Sequence, residues 1–91
     1  RLDNIQIFSA DKQPIVDKLR KETSGINTRN GYEELMRVRE DGEKTTIYFK
    51  DGKKGQKEFV LLVDEKDEFT IISIVGDLTL QEIQGIVNKE E

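Results

Sequence analysis

From Tyr32 to Val75 the chain alternates apolar and polar residues with a period of two, and turn signals cut this stretch into short runs. That pattern commits the middle of the chain to an antiparallel meander, because a period of two puts alternate side chains on opposite faces of a pleated strand. "YEELMRVRE" reads as the first of these strands. Asp41 and Gly42 are a two-residue hairpin signal, and "KTTIYFK" sets Ile47 and Phe49 against Thr46 and Tyr48. "EFVLLVDE" and "EFTIISIVGD", joined at Lys66 and Asp67, carry apolar residues on both faces and read as central strands. Between "KTTIYFK" and "EFVLLVDE" lies "DGKKGQ", whose glycines and lysines have the composition of a phosphate-wrapping loop. The spacing argues for a turn instead. Gly52 and Gly55 stand three apart, Gln56 follows the second glycine, and the next segment is strand rather than a helix whose N-terminus would face a phosphate.

The flanks add one strand and two helices. "LDNIQIF" is a short β-type run. In the segment after it Asp11 can cap a helix with Pro14 in its first turn, Ile15, Val16 and Leu19 form the apolar stripe, and Gly25 is placed to end the helix in a left-handed conformation. At the other end Thr79 and Glu82 fit a capping box and Leu78 and Ile83 a hydrophobic staple, while Leu80, Ile83, Ile86 and Val87 line one side of a helix. The order is β-α-β-β-β-β-α, with strands over 2–8, 32–40, 44–50, 58–64 and 68–75 and helices over 11–24 and 79–88. The expected class is α+β: two helices packed on one face of a mainly antiparallel five-stranded sheet, in one domain spanning residues 1–91. Which strand neighbours the first one is open at this stage.

The chain has no histidine and no cysteine, which removes the usual base near neutral pH, the thiolate nucleophile and the common zinc ligands. No cofactor, metal or catalytic residue is expected. Adjacent acids at Glu33 and Glu34, Glu40 and Asp41, Asp64 and Glu65, and Asp67 and Glu68 fall at strand ends or bends, where solvated charge is ordinary. "DEKDE" lacks the spacing of a calcium loop. Ser9 and Ser24 have lysines nearby but sit where helix-end serines sit. With 15 basic against 19 acidic residues the net charge is −4, so general attraction to nucleic acid is not expected. No apolar run approaches the roughly 20 residues of a membrane span. The opening on Arg1 reads as a piece trimmed from a longer exported precursor.

The stretch from "GYEELM" through "LLVDE" to "GDLTLQEI", with "KLRKE" before it, resembles a domain-of-unknown-function family of exported lipoproteins from Gram-negative gut bacteria of the Bacteroidetes type. The resemblance implies an α+β domain in the periplasm or at the outer membrane, with a signal and lipidated cysteine ahead of the position equivalent to Arg1. Membrane attachment would come only through that lipid anchor, which this chain does not contain. The family brings no catalytic residues.

If Met36, Val38, Ile47, Phe49, Phe59, Leu61, Val63, Ile71 and Val75 face both helices, alternation sends Leu35, Tyr48, Val60, Leu62, Ile72 and Ile74 to a helix-free face. That face is the expected binding surface, for a homodimer, an envelope protein partner or an apolar ligand. Tyr48 is its anchor, and Arg37 and Arg39 form its polar rim. The expected function is a non-enzymatic binding or interaction module of the cell envelope. The alternative is a small hydrolase using carboxylates, which would need an acid with a strongly perturbed pKa inside a well-formed pocket.

Overall fold

The computed structural model describes residues 2–52 and 55–89, with side chains from 3–52 and 55–85. Five strands form one antiparallel sheet: β1 (Leu2–Ala10), β2 (Glu33–Glu40), β3 (Glu43–Asp51), β4 (Lys57–Asp64) and β5 (Phe69–Gly76), in the spatial order β1-β5-β4-β3-β2. Two helices complete it, α1 (Gln13–Glu22) and α2 (Leu80–Lys89), with single 3-10 turns at Thr23–Gly25 and Thr28–Asn30. The fold is α+β in the order expected, and the two most apolar strands, β4 and β5, are interior ones. β1 takes the edge beside β5.

Local chemistry explains most of these elements. Asp41 at φ 52° and Gly42 at φ 83° make the two-residue loop that pairs Glu40 with Glu43, a turn whose twist matches the strands it joins. "DGKKGQ" is a turn as well: Asp51 pairs with Lys57, and the Gly52 N–H donates to the Gln56 carbonyl at 2.8 Å. Lys53 and Lys54 lie outside the described residues. α2 begins with the capping box. Thr79 Oγ1 accepts from the Glu82 N–H at 3.2 Å, and the Glu82 carboxylate accepts from the Thr79 N–H at 3.0 Å. Those bonds to the charged form hold the Glu82 pKa below its ordinary value. Leu78 and Ile83 are both buried in the same cluster, as the staple requires.

α1 departs from expectation at both ends. Its cap is Lys12, not Asp11: Pro14 offers no N–H, and the Ile15 N–H is taken by the Lys12 carbonyl at 2.9 Å, so little is left for an aspartate to bind. Gly25 does not close the helix in a left-handed conformation. The Thr23 hydroxyl donates to the Leu19 carbonyl at 2.9 Å and the Ser24 hydroxyl to the Lys21 carbonyl at 2.7 Å, which satisfies the last carbonyls earlier. The left-handed glycine of this connection is Gly31, at φ 88°.

The two helices do not share a face. Directly opposed residues in a sheet point the same way, and the register opposes Phe49 to Phe59 and Phe59 to Ile74, then Ile47 to Leu61 and Leu61 to Ile72. Phe59, Leu61, Ile47 and Ile74 form one buried cluster with Leu78 and Ile83, so α2 covers this side. The other side carries Thr46, Tyr48, Val60, Leu62 and Phe69, and Arg20 and Thr23 of the α1 segment enclose a hollow against four of them. The cause is topological. β1 and β2 occupy opposite edges of the sheet, so residues 11–32 must cross its full width, about 20 Å at roughly 4.8 Å per strand. That crossing occupies one face and leaves α2 the other.

Because Val16 and Ile83 are each fully buried but on opposite sides of the sheet, their contributions should be independent. Ile83→Ala should cost about 2–5 kcal/mol by urea unfolding. Combined with Val16→Ala, the two losses should add within about 0.5 kcal/mol; a larger coupling would mean that the helices touch.

Candidate functional site

The expected binding surface divides between the two layers. Tyr48, Val60, Leu62, Arg37 and Arg39 have the parity of the α1 side, whereas Ile72 and Ile74 lie under α2 and Leu35 packs against the α2 cluster. No helix-free face exists among the described residues. The error lies in the β4–β5 connection: Asp64 pairs with Phe69 around a four-residue turn, closed by the Glu65 N–H donating to the Glu68 carbonyl at 2.9 Å. That register puts Ile72 and Ile74 beside Leu61 and Phe59, one residue out of step with the expected assignment, and a one-residue slip reverses a whole strand. Val60 and Ile74 are buried within the single chain.

What remains together on the α1 side is a small hollow. It measures about 200 Å³ and is bounded by Arg20, Arg37, Lys44, Thr46, Tyr48 and Leu62, among others. Arg20 forms its roof. Its guanidinium donates to Asp64 Oδ1 at 2.8 and 3.1 Å and to the Glu65 carbonyl at 2.7 Å, fastening the end of α1 to β4. Arg37 donates to Glu34 at 2.7 Å, so it is engaged within its own strand. Tyr48 is half-buried and meets Tyr32 edge-on at 6.4 Å, and the Lys50 ammonium lies 4.8 Å from the Tyr32 ring centre. Burial, and then the charge of Glu58, push the Tyr32 pKa up. The predicted anchor is therefore part of the packing between the crossing segment and the sheet.

At the turn end of the sheet a larger open hollow of about 920 Å³ is lined by acids, with Glu40, Asp41 and Glu43 of the β2–β3 turn and Glu65, Asp67 and Glu68 of the β4–β5 turn. Glu40, Asp41, Glu65, Asp67 and Glu68 are among the adjacent acids noted in the sequence, gathered by the meander, whereas Glu33, Glu34 and Asp64 do not line this hollow. Among the described residues no three of them come close enough to hold a metal ion. Partial withdrawal from water, then the charges of Glu43 and Glu68, hold the Glu65 pKa above its ordinary value.

The exposed apolar residues lie elsewhere. Ile5, Ile7 and Phe8 of β1 are 39%, 55% and 58% exposed, and Val38 and Ile15 are exposed as well. Ile5 and Ile7 oppose Ile74 and Ile72 and so belong to the α2 side, beyond what α2 covers; Phe8 opposes Ile71 on the α1 side. In the sequence these residues read only as strand. The signal that would have singled them out is charge: β1 has Asp3 alone among its nine residues, although 37% of the chain is charged.

A single antiparallel sheet with one helix on each face, a small polar hollow and an apolar edge strand defines a compact α+β domain. The profile of the family described as Domain of unknown function (DUF4252) matches residues 1–86, and the chain belongs to that family. No curated protein and no solved structure matches the chain.

Glu65→Gln should raise the melting temperature at pH 7, because it removes a carboxylate that is partly withdrawn from water and repelled by Glu43 and Glu68. Since the folded-state pKa is raised, this penalty on the charged form is present above that pKa. The gain should vanish as pH falls to the ordinary glutamate value of 4.5 and shrink in high salt. Melting curves across pH and salt check both trends, and a gain that persists at pH 4 would contradict this account.

Proposed function

We propose that the chain is a non-enzymatic interaction module of the bacterial cell envelope, lying in the periplasm or at the outer membrane and lipid-anchored in its precursor, and that it docks its partner through the β1 edge. The envelope location and the anchor rest on the resemblance to exported lipoproteins of the Bacteroidetes type. The observation that supports docking is the unguarded state of β1. An edge strand presents a row of backbone donors and acceptors ready to pair, and proteins ordinarily blunt it with charge, proline or cover. β1 offers three exposed apolar side chains beside that row. Strand addition of this kind draws affinity from the main chain and specificity from alternate side chains.

A photo-crosslinking residue at position 7 of the full-length protein, in the cells that make it, should give a discrete adduct in the membrane or periplasmic fraction. The same residue in place of the exposed Lys18 of α1 should give none. Equal labelling at both positions, or no adduct at position 7, would remove the case for β1.

A further inference from the structure

The two edges of the sheet are finished in opposite ways. β2 carries Glu33, Glu34, Arg37, Arg39 and Glu40 among its eight residues, the guarding that free edges usually receive. β1 carries one charge in nine residues and is irregular only between Leu2 and Asn4; from Asn4 to Ala10 it pairs with β5 in unbroken register. A long, regular, nearly uncharged edge is an assembly surface or an aggregation hazard.

We propose that β1 pairs antiparallel with β1 of a second copy of this chain, joining two five-stranded sheets into one of ten strands. This rests on the reading of β1 as the docking edge and names its occupant. A two-fold axis perpendicular to the sheet makes the contact self-complementary and keeps each face of one copy continuous with the same face of the other. Paired residues must then share parity. The register centred on Gln6, which overlaps the two strands along their length, satisfies this condition over the regular residues Asn4 to Phe8. It sets Gln6 against Gln6 of the partner subunit, Ile5 against Ile7 of the partner subunit, and Asn4 against Phe8 of the partner subunit.

Two consequences favour this occupant. Four isoleucines, two from each copy, form an unbroken strip on the α2 side that continues Ile72 and Ile74. Charge is the second. Each copy bears −4 and repels another in general, but along this strand no like charges are opposed. The two Asp3 carboxylates stand six residues apart along the pair, about 20 Å, which is beyond the screening length of roughly 8 Å at physiological salt. β1 is thus the strand along which two acidic copies approach with least opposition, and the isoleucine pairs supply the apolar contact that a bare edge lacks. A strand pair of this length is small beside standard interfaces, so the dimer is weak and concentration-dependent.

Sedimentation equilibrium of the purified chain up to millimolar concentration decides the matter. The mass should rise from 10.5 kDa towards twice that value, and amide exchange in β1 should slow in step. Ile7→Lys should return the mass to that of the monomer while leaving the urea midpoint within the range of Ile15→Lys, a control at an exposed site on α1. If Ile7→Lys fails to fold, Ile5→Lys takes its place. A wild-type chain that stays monomeric at millimolar concentration overturns the proposal, and so does a dimer that either lysine leaves intact. Failure here is separable from failure of the docking reading: a monomer whose position 7 still crosslinks to a different protein in cells removes only the second copy as occupant.

Discussion

The structure depends on one constraint of connectivity: the first two strands lie at opposite edges of the same sheet. The chain between them has to cross every other strand, and only one face of the sheet can carry it. α1 and its two 3-10 turns make that crossing, with Arg20 and Thr23 over Thr46, Tyr48 and Leu62 and Arg20 fastened to Asp64 of β4. The chain leaving β5 then meets a face still uncovered, and α2 packs on Ile47, Phe59, Leu61 and Ile74 through Leu78 and Ile83.

The interior strands demand this arrangement. β4 places Phe59 and Leu61 on one face and Val60 and Leu62 on the other, and β5 does the same with Ile72 and Ile74 against Phe69 and Ile71. A strand apolar on both faces is stable only where both are removed from water. One helix per face meets that need at the centre of the sheet, where Val60, Leu61 and Ile74 are buried, and falls short at the margins, where Ile5, Ile7 and Phe8 remain exposed. The helix-free apolar face expected from strand parity does not exist among the described residues, and the largest apolar surface left exposed belongs to Ile5, Ile7 and Phe8 of β1. It lies along an edge.

Function follows the same geometry. Tyr48, Arg37 and Leu62 are brought together, but by the crossing segment, and Tyr48 spends its ring on Tyr32 while Arg37 is held by Glu34. The acids gathered at the turn end share an open hollow, where partial withdrawal from water, and then the charges of Glu43 and Glu68, raise the pKa of Glu65. The edge strand is where apolar side chains and unpaired backbone coincide, and for that reason the proposed interaction is placed there.

Local chemistry by itself determined the strands, their antiparallel order, the Asp41 and Gly42 hairpin, the turn in "DGKKGQ", and the capping box and staple of α2, because each depends on residues within a few positions of one another. It did not determine which face each helix takes. The covering of a face depends on where β1 inserts, a contact between residues some 60 or more positions apart, and on the register of β5, which a single residue in the β4–β5 turn reverses. The binding surface inferred from strand parity inherited both uncertainties, so Ile72 and Ile74 parted from Tyr48 and Leu62. The exposure of Ile5, Ile7 and Phe8 was likewise a tertiary outcome: their apolar character is written in the sequence, but only the sheet order shows that β1 lies at an edge, with no strand beyond it among the described residues.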